Sequence, residues 1–322
     1  MIRSLYTAVK VEGAQPPFDT VHLKVFYPAA PTGSDAERMT GVIPADAARG
    51  RMPVVLFFNG INIGADSYAW LAIALARQGI VVALFNWVGE TLPGVIGLTN
   101  GLDLARVTPQ TYGSAPTVPA IAQMLTALAR LDQAGPLQGA LALDRVVLGG
   151  HSAGGTVALH NANPRYFPQV VAGFSYAGHT MAATMLGFPP GTVLACASDL
   201  PLLLMGGGRD GVIAASGARY GQPGDPVAPL HRTFDEGIEG SRGDRHLVIW
   251  PGANHFTLAH PLDETAGRSF LDLPPQGDES VMRAHMTEVI SAFILGAACN
   301  DAAADARLRE LSNDASLEWR TK

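Results

Sequence analysis

Six short apolar runs constrain the fold of this chain more than any other feature. They are "PVVLFF" (53–58), "IVVALFNW" (80–87), "RVVLGG" (145–150), "QVVAGFSYAG" (169–178), "PLLLMGG" (201–207) and "HLVIWPG" (246–252). Nearly continuous runs of Val, Leu, Ile and Phe at strand length indicate strands covered on both faces. Helical patterns lie between them. "GADSYAWLAIALARQG" (64–79) offers an Asp or Ser N-cap, an apolar body, a basic last turn and a closing Gly. In "TVPAIAQMLTALARLDQAG" (117–135), Ile121, Met124, Leu125, Leu128 and Leu131 share one helical face. "DESVMRAHMTEVISAFILGAA" (278–298) opens acidic and carries Val289, Ile290, Phe293 and Ile294 as a stripe, while "TVHLKVFYP" (20–28) alternates like a strand. Strands alternating with helices imply an α/β protein with a mostly parallel sheet and helices on both faces.

The alternation shows no break across the 322 residues, so one domain over 1–322 is expected, with its core at about 20–298. Hydrophobic residues are 48% and charged residues 16%, enough apolar material for a large core. The 36 Gly and 23 Pro predict long ordered loops. Three stretches, 88–116, 179–200 and 212–245, fit neither period. They follow strand carboxyl ends, where open α/β sheets bind ligands, and are expected to cover a pocket. Residues 300–322 are expected to hold one short helix and a frayed end.

A net charge of −6 without a Lys/Arg run argues against nucleic acid as a partner. No uninterrupted apolar run approaches the roughly 18 residues that span a bilayer. "MIRSLYTAVKVEGAQPP" has no apolar h-region, which leads to the expectation of a cytoplasmic location. Cys196 and Cys299 lack metal-ligand spacing and are expected to be free thiols.

One segment carries chemistry. In "DRVVLGGHSAGGTVALH" (144–160), four glycines surround Ser152 between a strand pattern and a helix pattern. Gly150-His151-Ser152-Ala153-Gly154 fits the G-x-S-x-G nucleophile elbow, which lifts a serine hydroxyl above a sheet edge. A serine needs a base to act as a nucleophile, and the base needs an orienting carboxylate. In this topology both should follow later strands, acid before histidine. "PLLLMGGGRDG" places Asp210 just past one strand and "HLVIWPGANHFTL" places His255 just past the last. His260 competes with His255, and Asp235 and Asp263 compete more weakly with Asp210. The oxyanion of acyl transfer calls for two backbone N–H groups. Ala153, after the nucleophile, and Ile61, in the loop "NGINIG", are the candidates.

"FFNGINIGADSYAWLAIALARQGIVVALFNW", "GGHSAGG", "LLLMGGGRDG" and "WPGANHF" together resemble the α/β-hydrolase superfamily. They are most similar to its branch of dienelactone-hydrolase-like, chlorophyllase-like and platelet-activating-factor-acetylhydrolase-like esterases. The resemblance spans about 20–298. It implies the α/β-hydrolase fold, a central sheet of about eight strands and loop insertions over its carboxyl edge. It also puts Ser152, Asp210 and His255 on the triad positions, and Ile61 and Ala153 on the oxyanion positions. The chain departs from the pattern with Asn59-Gly60 where many relatives have His-Gly, which changes how that loop is held. Ala153 replaces the Arg usual in chlorophyllases and weakens the porphyrin-ester reading.

The activity so implied is hydrolysis of a carboxylic ester with a hydrophobic acyl or alcohol part. It needs no metal and no cofactor, and its partner is a small-molecule ester. "TMAATMLGFPPGTVLA" (180–195) is apolar, and Met185, Trp87 and Tyr176, with Asn59 and His151, are candidates to line the pocket. Amide, carbamate and thioester cleavage and acyl transfer use the same machinery. Gly206-x-Gly208-x-x-Gly211 formally matches a dinucleotide fingerprint, but it comes late and no helix of normal length follows. His255 and His260 lack zinc-site spacing. A ligand-binding protein of the same fold is the non-enzyme alternative, and such proteins often lose part of the triad.

Overall fold

In the computed structural model, which describes every residue except 93, 197, 198, 222 and 223, the six apolar runs become neighbouring strands. The strands are β1 (Ile2–Lys10), β2 (Thr20–Pro28), β3 (Met52–Phe58), β4 (Val81–Asn86), β5 (Val88–Leu92), β6 (Val95–Leu98), β7 (Leu141–His151), β8 (Val170–Tyr176), β9 (Leu202–Gly207), β10 (Arg245–Trp250) and β11 (Glu318–Thr321). Among the described residues, nine form one sheet in the order β1-β2-β4-β3-β7-β8-β9-β10-β11, and β5 and β6 form a separate hairpin. Pairing is parallel from β4 through β10, and antiparallel at β1/β2, β2/β4 and β10/β11.

Every residue of β3, β9 and β10 is buried, as a strand covered on both faces requires. In β2, Val21, Leu23 and Val25 are buried on alternate positions. The helices are α1 (Asp35–Thr40), α2 (Ala69–Arg77), α3 (Ile121–Gln133), α4 (Ala153–Asn161), α5 (Gly211–Ser216), α6 (Ala228–Arg232), α7 (Glu279–Cys299) and α8 (Ala302–Leu311). On α3, Ile121, Met124, Leu125 and Leu128 are buried, the face the periodicity predicts. Asp278 caps α7 by accepting from the Ser280 and Val281 amides. Helices α4 and α7 both pack on β3, β7 and β8, and therefore take opposite faces of the sheet. By length and composition alone α7 could cross a membrane. Here its stripe of Val289, Ile290, Phe293 and Ile294 is buried in the core.

The central sheet, expected at about eight strands, has nine, with β1 and β11 on its two edges. One expectation needs correction: residues 300–322 are not frayed at the end. They form α8, and then β11 pairs antiparallel with β10 from Ile249↔Glu318 to His246↔Thr321. The unassigned stretches also hold structure. The hairpin β5–β6 lies in 88–116, while α6 and all of α5 but its first residue, Gly211, lie in 212–245. Residue 93 of the first stretch, 197 and 198 of the second, and 222 and 223 of the third are outside the described residues.

Candidate active site

The turn from β7 into α4 places Ser152 at φ 57° and ψ −129°, a left-handed conformation that costs a non-glycine residue on the order of 1–3 kcal/mol. Glycine is required beside it. A Cβ at Gly154 would collide with the Phe58 carbonyl oxygen, and one at Gly150 with the Gly154 carbonyl oxygen. Ser152 N–H donates to Tyr176 O at 2.8 Å, and its own carbonyl accepts from Thr156 N–H at 3.1 Å. The strained turn is thereby tied to β8 on one side and to the first turn of α4 on the other.

Ser152 follows β7, Asp210 follows β9 and His255 follows β10, so three strand ends within the run β7-β8-β9-β10 deliver three side chains to one place. His255 Nδ1 donates to Asp210 Oδ2 at 2.7 Å, and His255 Nε2 accepts from Ser152 Oγ at 2.9 Å. The carboxylate can only accept, so it fixes the imidazole tautomer with its free lone pair toward the serine. Asp210 is fully buried and its second oxygen accepts from Ile213 N–H at 2.7 Å, capping α5. His260 is exposed on the surface, Asp235 pairs with Arg320, and Asp263 caps a local turn through Thr265. None of the three enters this chain of bonds.

The Ile61 and Ala153 amides make no hydrogen bond among the described residues. Ala153 is the first residue of α4, where the helix dipole adds to an unused N–H. The Gly60–Ile61 loop is held by a relay. Gly60 N–H donates to Tyr68 Oη (3.1 Å), Tyr68 Oη–H to His151 Nδ1 (2.7 Å), and His151 Nε2–H to the His255 carbonyl (2.9 Å). This direction requires neutral His151. Burial, with His255 beside it, holds the His151 pKa well below the usual histidine value.

Three of the five residues expected to line the pocket, Asn59, His151 and Tyr176, are buried. His151 and Tyr176 have no exposed surface, so they hold the His255 turn instead of lining a cleft. Tyr176 Oη donates to Asn254 O at 2.6 Å. Asn59 is also buried; its Nδ2 donates to Ile63 O and Phe85 O at 3.1 and 2.8 Å, fastening the loop after β3 to β4. Trp87 donates from Nε1 to Phe18 O at 2.7 Å and packs over Gly101. Met185 is 73% exposed on a short turn at Thr184–Leu186.

Residues with no local sequence signal do approach the site. Thr156 Oγ1 donates to His179 O at 2.8 Å, bringing 179–200 onto the elbow. The His179 ring stands edge-on to Tyr220 with centroids 4.6 Å apart, so 179–200 meets 212–245 here. Burial lowers the His179 pKa to about 4, with Asp210 raising it and His255 lowering it. Tyr68 and Asp272 also bond to the loops of the site. No three His, Cys, Asp or Glu side chains form a metal-binding group among the described residues, and Cys196 and Cys299 are free.

No family model and no curated protein matches this sequence. Solved structures do match. A ferulic acid esterase from Streptomyces cinnamoneus superposes with a TM-score of 0.58 at 15% identity, over 99% of this chain and 96% of that one. The fold is that of the α/β hydrolases, mixed α/β with a large and mostly parallel central sheet.

Proposed function

We propose that the protein is a serine hydrolase that cleaves a carboxylic ester with a hydrophobic acyl or alcohol part through an acyl-enzyme. The observation that carries this reading is the continuous bond from Ser152 Oγ through His255 to buried Asp210. Ser152 Oγ attacks the ester carbonyl while His255 Nε2 takes its proton. Asp210 stabilises the imidazolium, and the Ile61 and Ala153 amides bind the oxyanion. His255 then protonates the departing alkoxide. Water attacks the acyl carbonyl while giving its proton to His255, and His255 returns that proton to Ser152 Oγ as the acyl–serine bond breaks and the acid leaves.

Apolar exposure around the Ile61 loop supports the substrate class. The β5–β6 hairpin is tied to that loop by Asn62 N–H to Leu98 O and Leu98 N–H to Asn62 Oδ1, both 2.9 Å. Ile61 and the hairpin's Val88, Leu92, Val95 and Ile96 are all exposed. The esterase named in the fold comparison acts on an ester of an aromatic acid, which makes a feruloyl ester a sensible addition to the test panel. The experiment is p-nitrophenyl esters of graded chain length, assayed beside an anilide and a carbamate. Esters should turn over fastest, kcat/KM should rise with acyl length, and Ser152→Ala should be inactive. Faster cleavage of the anilide, or turnover surviving in Ser152→Ala, would overturn the reading.

A further inference from the structure

The turn carrying His255 is fastened at three successive residues. Tyr176 holds the Asn254 carbonyl, His151 holds the His255 carbonyl, and Phe256 N–H donates to Oδ2 of Asp272 at 3.2 Å. Asp272 lies in the irregular segment between β10 and α7, after the short turn Ser269–Leu271. Its other oxygen accepts from Gly211 N–H at 2.9 Å and from Leu273 N–H at 3.0 Å. Gly211 immediately follows Asp210, and Phe256 immediately follows His255. One carboxylate therefore joins the loop after β9 to the loop after β10, at the residue next to each member of the pair.

We propose that Asp272 is a positioning residue for the Asp210–His255 pair: it clamps the two loops at the spacing of that pair and sets a second negative charge near the imidazole. Its effect on turnover rests on the function proposed above; its effect on His255 does not. A carboxylate bridging two loops fixes a distance that neither loop fixes alone, and small displacements of a proton acceptor are costly in rate. The three amide donors favour the ionised form of Asp272. Burial, and then the neighbouring Asp210 carboxylate, raise its pKa above the usual value, while His255 pulls it down. Other charged or titratable groups in this environment include the buried His151 and His179 imidazoles, the Tyr176 phenol, the Arg268 guanidinium and, acting on these, Glu279, Arg219 and Tyr220. Burial disfavours ionisation of His151, His179 and Tyr176, whereas Asp272 and Arg268 carry charge that acts on the pair.

Asp272→Asn removes the charge and keeps one oxygen for Gly211 and Leu273, but it turns an amide NH2 toward Phe256 N–H. The first readout needs no substrate: the NMR chemical shift and exchange protection of the His255 Nδ1–H proton, which donates to Asp210, in wild type and variant. With the clamp loosened, this proton should move upfield and exchange at least several-fold faster. The second readout is kcat on a p-nitrophenyl ester, expected to drop roughly 10- to 100-fold with KM nearly unchanged. If Asp272→Asn does not fold, Asp272→Ser keeps an acceptor without the charge and takes the same measurements. An unchanged His255 Nδ1–H resonance and exchange rate in the variant would overturn the proposal. A wild type without esterase activity would refute the proposed function and leave that resonance to judge Asp272.

Discussion

His160 sits inside α4 with both ring nitrogens buried and without a hydrogen-bond partner among the described residues. The residue is 8% exposed, and its ring stands edge-on to Tyr112 with centroids 5.1 Å apart. Burial, with His179 as the next cause, lowers its pKa from 6.5 to about 4. The unfolded chain therefore binds more protons than the folded one between these values. Stability from this group is present above pH ~6.5 and is lost as pH falls toward ~4. At pH 5 the loss is about 2 kcal/mol relative to pH 8, from the ratio of the two binding polynomials. His160→Leu removes the titration and keeps an apolar side chain of similar volume. Lost packing against Tyr112 and relief of the unpartnered nitrogens act equally at both pH values, so they cancel in the difference. The variant should gain about 2 kcal/mol on wild type between pH 8 and pH 5, or roughly 3 °C in melting temperature for a chain of this length. Urea melts of both proteins at the two pH values measure this directly. An identical wild-type-to-variant difference at pH 5 and pH 8 would refute the reasoning.

Asp210→Asn should cut kcat by roughly 10⁴ while leaving the fold intact, because the imidazole loses the partner that fixes its tautomer; steady-state kinetics and a circular dichroism spectrum check both halves. Adding His255→Ala to Ser152→Ala should cost little further activity, since the members of such a unit are strongly non-additive. Single-variant rates would expose a wrong histidine if His260→Ala were the more damaging change. Tyr68→Phe leaves Gly60 N–H and His151 Nδ1 buried and unpaired, at about 1–3 kcal/mol each. A chemical melt should show that loss together with a lower kcat, from loosening of the Ile61 loop.

The parts of this fold legible in the sequence are those where burial and periodicity coincide. Strands β3, β7, β8, β9 and β10 announce themselves because both faces are covered, and three of them end at Ser152, Asp210 and His255. Edge strands give no such signal. The four residues "EWRT" of β11 owe their conformation to the backbone of β10, and half-exposed β1 has one partner strand only. Pocket residues are not legible for another reason: Tyr176 and His151 lie at the right strand ends in sequence, but their side chains are buried in the core. Asp272 bonds to Gly211, 61 positions away, and Tyr68 to His151, 83 positions away, so nothing local marks either.

The most direct test of the central claim is covalent. A fluorophosphonate probe reacts with a serine only where a base and an oxyanion site activate it. Intact mass followed by peptide mapping should find one adduct per chain, on Ser152, and none in Ser152→Ala or after His255→Ala. An adduct on a different serine, or none on the folded wild-type protein, would contradict Ser152 as the nucleophile.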